Sequence, residues 1–254
     1  MAPKRTRRAE ASRRMELLWG PEDRPARGPK PALTLDRIVQ KATEIADKDG
    51  LAAVTMQNVA ARLRVTTMAL YRYVASKSGL LDAMVEAALG APPPMDAALD
   101  WRANLATWAR ANLGIYQRHP WVLHAIIASP PFGPNQLAWF EAALQALSDL
   151  KLGPPDTIET IALVDDYVRG AAHLLLTLAA TPQFVEWYTR AVQRASADGR
   201  YPKIAQLVAS GAFGDFGDAW WNQFEFGLER VLDGIHAFIQ SRRPPPARRV
   251  KVGR

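Results

Sequence analysis

The 254-residue chain contains no cysteine, which excludes disulfides, thiolate metal sites and a cysteine nucleophile. Its four histidines, His119, His124, His173 and His236, show no metal-ligand spacing. There is no glycine-rich phosphate loop and no G-x-S-x-G elbow. The most apolar run, 171–180, contains His173 and stops at Pro182, so it is too short to span a bilayer. No apolar stretch of a signal peptide follows the basic N-terminus. The adjacent Asp165 and Asp166 would project about 100° apart on a helix and do not make a paired acid–base site. Strand-like alternation is missing too. These absences argue against an enzyme, a bound metal or cofactor, and a membrane protein. They leave a cytoplasmic all-α protein as the expectation.

What is present is unevenly distributed charge. The net charge is +7, but residues 1–31 carry +5, residues 242–254 carry +6, and the body between them carries −4. Basic ends suit a polyanion such as nucleic acid, and equally suit a solubilising tail. Residues 1–31, rich in Arg, Pro and Gly, read as a basic and mostly disordered arm, with one short helix in "ASRRMELLWG". Residues 242–254 read as a basic disordered tail.

Between these ends the periodicity is helical. Leu35, Ile38, Val39, Ala42, Ile45 and Ala46 predict a helix over 35–48, with Thr34 as its cap and Gly50 as its stop. Thr55, Thr66 and Ser76 cap three more helices, over 56–63, 67–73 and 77–89. The "APPPM" stretch at 91–95 cannot continue a helix and marks a boundary. A first domain over 32–90 and a second over 91–241 follow. The second is again helical, with expected helices at 100–118, 120–128, 134–152, 156–180, 203–210 and 217–241.

The two short helices at 56–63 and 67–73 carry the strongest functional signal. A tight turn separates them, and Ala60 is small enough to let them approach closely. Val59, Leu63, Val65, Leu70 and Val74 are assigned inward. Gln57, Arg64, Thr66, Thr67, Met68, Ala69, Tyr71, Arg72 and Lys77 are then left outward. That face has hydroxyls, an amide and bases but no carboxylate, and no Asp or Glu occurs between Gly50 and Leu81. Such a surface suits DNA, because each carboxylate would repel phosphate.

"LYRYVASKSGLLDAM" resembles the signature of the TetR family of transcriptional regulators. The resemblance implies an N-terminal three-helix helix-turn-helix domain and a C-terminal helical domain for ligand binding and dimerisation. It implies that Tyr71, Tyr73 and the caps Thr55 and Thr66 meet phosphates, and that Lys77 anchors the DNA backbone. Thr67, Met68, Ala69 and Arg72 would face the major groove, and Gln57 would read a base. Arg64 stands where the family usually has glycine, in a turn that needs a left-handed residue. Arg27 and Lys30, in "RGPKP", are candidates for the adjacent minor groove.

The segments "DWRANL", "RHPW", "GPNQLAWFEAALQAL", "YVRGAAHL" and "FEFGLERVLDGI" resemble the subfamily typified by the tetracycline repressor. This implies a homodimer formed by the helices at 156–180 and 217–241. Phe224, Phe226, Leu228, Val231, Leu232, Ile235 and Ile239 would supply apolar area. Expected walls of an effector pocket are Trp101, Trp108, Asn112, Tyr116, His124, Trp139, Phe140, Tyr167 and His173, a set suited to a bulky apolar molecule. Arg102, Arg110 and Arg118 face either an anionic ligand or solvent. Ile126, Ser129 and Ala142 fall where the tetracycline repressor has its drug- and magnesium-holding groups, so recognition of that complex is not expected. The expected function is a repressor released from double-stranded operator DNA by a small-molecule effector. The alternatives are an activator, or a regulator whose second domain serves only dimerisation or a protein partner.

Overall fold

A computed structural model describes residues 4–20, 33–128, 132–178, 181–211 and 219–242. It is all-α, and no strand occurs among the described residues. The order is α1 (Lys4–Trp19), α2 (Leu35–Asp49), a 3-10 turn (Leu51–Ala53), α3 (Met56–Leu63), α4 (Thr67–Tyr71) and α5 (Lys77–Leu89). There follow α6 (Trp101–Arg118), α7 (Pro120–Ala128), α8 (Pro134–Ala146) and α9 (Pro154–His173), the last running into a π turn (Leu174–Leu178). The chain ends with α10 (Pro182–Ala197), α11 (Pro202–Ala209) and α12 (Ala219–Arg242).

The first unit is built by hydroxyl caps and apolar stripes. Oxygens of Thr34, Thr55, Thr66 and Ser76 accept from the backbone N–H three residues on, satisfying donors that have no partner inside the helix. Ile38, Ala42, Val59, Leu70, Val74 and Leu80 are sealed from solvent and form one core. Helix α4 is shorter than expected. The N–H groups of Tyr73 and Val74 both return to the Leu70 carbonyl, so Arg72 and Tyr73 lie in a turn.

Helix α1 departs from the mostly disordered arm expected at 1–31. It is a 16-residue helix packed along α5. Arg14 pairs with the buried Asp82 of α5, and the Leu17 side chain lies over Gly79. Trp19 Nε1 donates to the Phe132 carbonyl in the second unit at 3.2 Å.

In the second unit, α6 packs against α7, α8 and α9, and α9 packs against α12. Three predicted ends shift. Helix α8 stops at Ala146 rather than near 152, because Leu147, Ser148 and Leu150 close successive turns onto Leu144, Gln145 and Leu147; the apolar spacing continues while the helix does not. Helix α9 starts at Pro154, since proline in a first turn loses no helical hydrogen bond. It gives way to a π turn after His173 instead of continuing to 180. Arg102 and Arg110, left between ligand and solvent by the sequence, instead tie α6 to α12 through Glu229, Asp233 and Glu225. Phe224, Leu228, Leu232, Ile235 and Ile239 are buried within the subunit, so they are not free to face a partner as the sequence suggested. Phe226, 64% exposed, remains available.

Contacts between the units are polar and specific. Asp47 of α2 accepts from His119 Nδ1 at 2.8 Å and from Trp121 Nε1 at 2.7 Å. Glu86 of α5 caps α8, accepting from the backbone N–H of Asn135 (2.8 Å) and Gln136 (3.2 Å). Gly133 permits this approach, because a Cβ there would collide with the Glu86 carboxyl.

Candidate DNA interface and effector cavity

The exposed face of α3 and α4 is built around the turn at Arg64. Arg64 adopts φ 58°, ψ 42°, the left-handed conformation that ends α3. The Val65 N–H bonds the Ala60 carbonyl at 3.0 Å and the Arg64 N–H bonds Ala61 at 3.1 Å, closing α3 as a Schellman-type turn. This turn swings α4 across α3 and lets Leu70 and Val74 enter the core. Gln57, Arg64, Thr66, Met68, Tyr71, Arg72 and Lys77 are exposed, Met68 at 73%. Thr55, Thr67, Ala69 and Tyr73 are half-buried. Arg64, Arg72 and Lys77 make no ion pair with any described residue, so three positive charges stand unneutralised on one surface. The Thr55 and Thr66 oxygens accept cap bonds at 3.1 and 3.3 Å, which leaves each hydroxyl hydrogen free to donate outward. Arg27 and Lys30 lie outside the described residues.

In the second unit a cavity of about 370 Å³ lies between α6, α8 and α9. Of the nine expected wall residues, Trp108, Asn112, Tyr116, Trp139 and Phe140 line it. The other four do not. Trp101 stacks on His236 of α12, with ring centroids 6.3 Å apart. His124 points to solvent from α7. Tyr167 turns away and donates to the Phe224 carbonyl of α12 at 2.7 Å. His173 is exposed at the end of α9. Helical spacing gave these rings a face but not the neighbour that covers it.

The wall also contains residues the sequence reading did not select: Ile126, Gln136, Ile158, Ile161, Asp165 and Arg169. Ile158, Ile161, Asp165 and Arg169 follow one another at three- and four-residue steps on α9, a stripe that could have been extracted from the sequence. Ser129, considered beside Ile126, lies outside the described residues.

Trp108 and Trp139 meet edge to face at 6.0 Å, and Trp108 Nε1 donates to the Trp139 carbonyl at 2.9 Å. Trp139 Nε1 in turn donates to the Gly90 carbonyl at the end of α5, at 3.1 Å. At the polar side, Arg169 pairs with Asp165 at 2.6 Å. Burial holds the Asp165 carboxyl above the usual carboxylate range, although Arg169 opposes the shift. Burial also pushes the Tyr116 hydroxyl up to about 12, so it stays protonated at neutral pH. A larger and more open hollow, about 510 Å³, lies between α1, α2 and α5, with Asp36 and Glu44 at its edge. No group of His, Asp and Glu that could hold a metal occurs among the described residues. No described helix is long and apolar enough to cross a membrane.

A family model for bacterial regulatory proteins of the tetR family matches residues 38–84. A second, for the tetracyclin repressor-like C-terminal domain, matches residues 93–239, more than half the chain. The chain belongs to the TetR family. This TetR-family protein is 39% identical over 245 residues to the HTH-type transcriptional repressor DrrR1 of Streptomyces coeruleorubidus, covering 92% of this chain and 88% of that one. Apo ActR of Streptomyces coelicolor shares its fold, with a TM-score of 0.72 at 23% identity over 84% of this chain and 99% of ActR. ActR in complex with actinorhodin gives 0.71 at 23% identity over 83% and 98%. The family is one of DNA-binding transcriptional regulators, which is not an enzyme class.

Proposed function

We propose that this TetR-family regulator is a repressor that leaves its operator when a small molecule enters the cavity between α6, α8 and α9. A homodimer presents one α4 per subunit to successive major grooves. Thr67, Met68, Ala69 and Arg72 meet base edges, while Tyr71, Tyr73, Lys77, Arg64, Thr55 and Thr66 meet phosphates. Gln57 adds a base contact from α3, and Arg27 and Lys30 reach the minor groove. The exposed Phe226 on α12 and Leu163 on α9 suit a partner subunit. The repressor DrrR1 and the actinorhodin-bound ActR both agree with this reading.

One observation carries the coupling. The cavity and the DNA-binding unit share a helix junction: Gln136 lines the cavity while its own N–H is held by Glu86 of α5, and Trp139 lines it while holding Gly90. A ligand that moves α8 therefore pulls on α5. A tenfold to hundredfold loss of operator affinity needs only about 1.4–3 kcal/mol of coupling. The test is fluorescence anisotropy on the promoter DNA beside the protein's own gene, titrated with compounds that bind the protein. Release of DNA is expected. Compound-bound protein holding the operator with unchanged affinity overturns the proposal.

A further inference from the structure

We infer that the cavity selects an aromatic acid, whose rings lie against Trp108 and Trp139 and whose ionised oxygen and a neighbouring oxygen are taken by Arg169 and Asn112. This rests on the reading of the cavity as the effector site and adds the chemical class of the effector.

The inference comes from which hydrogen-bonding groups the protein leaves unmatched. Asn112 is only 5% exposed and lines the cavity, yet its carboxamide has no partner among the described residues. Arg169 Nε is buried and has no partner either, while another edge of the same guanidinium is held by Asp165. Gln136 Oε1 accepts from the Phe132 N–H at 2.9 Å, and the residue is half-exposed, so its amide is not counted among the unmatched groups. A protein interior rarely leaves such groups unsatisfied, so a cavity that does so has a ligand's atoms to complete it.

The unmatched nitrogens, Arg169 Nε and the Asn112 amide nitrogen, are donors, and of the two a guanidinium edge favours an ionised oxygen over a neutral one. Asp165 does not reverse this preference, because it is already bound to Arg169. Tyr116 stays a neutral hydroxyl beside the pair. Asn112 and Tyr116 are one helical turn apart on α6, and Tyr116 is hydrogen-bonded to Arg169, so the free amide and the guanidinium belong to the same side of the cavity. The rest of the wall, two tryptophans, Phe140 and Ile161, suits flat apolar rings, and 370 Å³ admits a molecule of a few fused rings.

The test compares two probes by isothermal titration calorimetry on the full chain: an ortho-hydroxynaphthoate, and naphthalene as its apolar match. The acid should bind at least tenfold more tightly. Two independent variants should bring the probes to parity: Asn112→Leu, and Arg169→Met combined with Asp165→Asn so that no carboxylate is left unpaired. Equal affinity of the two probes for the unaltered protein overturns the inference and leaves the effector cavity standing. A preference that survives in both variants overturns the assignment to these residues. Binding of neither probe counts against the cavity reading itself and removes the inference with it.

Discussion

Arg14 of α1 and Asp82 of α5, 68 positions apart, meet as a bidentate pair: Nε and Nη2 of the guanidinium each take one carboxylate oxygen, the second at 2.7 Å. Asp82 is buried and Arg14 is partly exposed, so the pair sits at the edge of the core rather than in bulk solvent. Its net contribution is small if both groups are replaced together, but removing one leaves a buried charge alone. Arg14→Ala should therefore lower stability by about 2–3 kcal/mol. Arg14→Ala with Asp82→Asn should recover part of that loss. Urea denaturation checks both; an Arg14→Ala protein as stable as the parent would show that α1 is only loosely docked.

Arg64 holds two opposed roles that one substitution separates. As a non-glycine residue in the left-handed region it costs about 1 kcal/mol of backbone strain. As an exposed and unpaired base beside α4 it is placed to meet phosphate. Arg64→Gly should raise the melting temperature slightly while weakening operator binding. The slope of log affinity against log salt should become shallower by about 1, the value of one phosphate contact. Unchanged salt dependence would leave Arg64 with no role at the DNA.

What could be read from the sequence, and what could not, follows from the range of the forces involved. The α3–α4 unit was legible because its determinants are local: a threonine cap before each helix, apolar residues at helical steps, and a small residue at the crossing. The length of α1 was not, because its first turns are almost wholly charged and its hold on the fold comes from Asp82 and Phe132, both far along the chain. The cavity was half legible. Trp108, Asn112 and Tyr116 follow one face of α6 and were read as a set. Asp165 and Arg169 were missed because an Asp four residues before an Arg looks like a solvated helix pair, and only the packing of α6 over α9 makes it a wall. Trp101 and Tyr167 were placed in the wall because an aromatic stripe does not say whether α8 or α12 will cover it.

Glu86 is a carboxylate placed where folding disfavours its charge. Burial raises its pKa above the ordinary 4.5, and the three N–H groups of Gly133, Asn135 and Gln136 offset only part of that. A carboxyl whose pKa is higher in the folded chain takes up a proton on folding between its two pKa values. Stability from this group is thus fullest below about pH 4.5, falls as pH rises toward the folded value, and is level above it. Glu86→Gln keeps the shape and removes the titration. The difference in melting temperature between parent and variant should shift in favour of the variant as pH rises from 4.5, then flatten. A difference that does not change with pH would mean that Glu86 ionises in the folded protein as freely as in the unfolded chain.

Gly227 and Tyr167 set the crossing of α9 over α12. A Cβ at 227 would run into the Tyr167 hydroxyl, which itself donates to the Phe224 carbonyl while the Tyr167 and Phe224 rings stack at 5.8 Å. In an open helix interior, glycine to alanine stabilises by about 1 kcal/mol. Here the overlap should win, since forcing extra volume into a packed contact costs about 1–3 kcal/mol. Gly227→Ala should therefore destabilise, and Tyr167→Phe alone should cost about 1 kcal/mol for the lost hydrogen bond. The double variant removes the nearest of three overlapping atoms but keeps the ring carbons Cζ and Cε2, at 2.7 and 2.8 Å from that Cβ, so it should recover only part of the loss of Gly227→Ala. Denaturation of all four proteins in a double-mutant cycle measures this. Strictly additive losses would mean that the two residues do not set the crossing. Because α12 carries the exposed Phe226 one position away, a shifted crossing should also weaken self-association, which sedimentation equilibrium on the same four proteins would reveal.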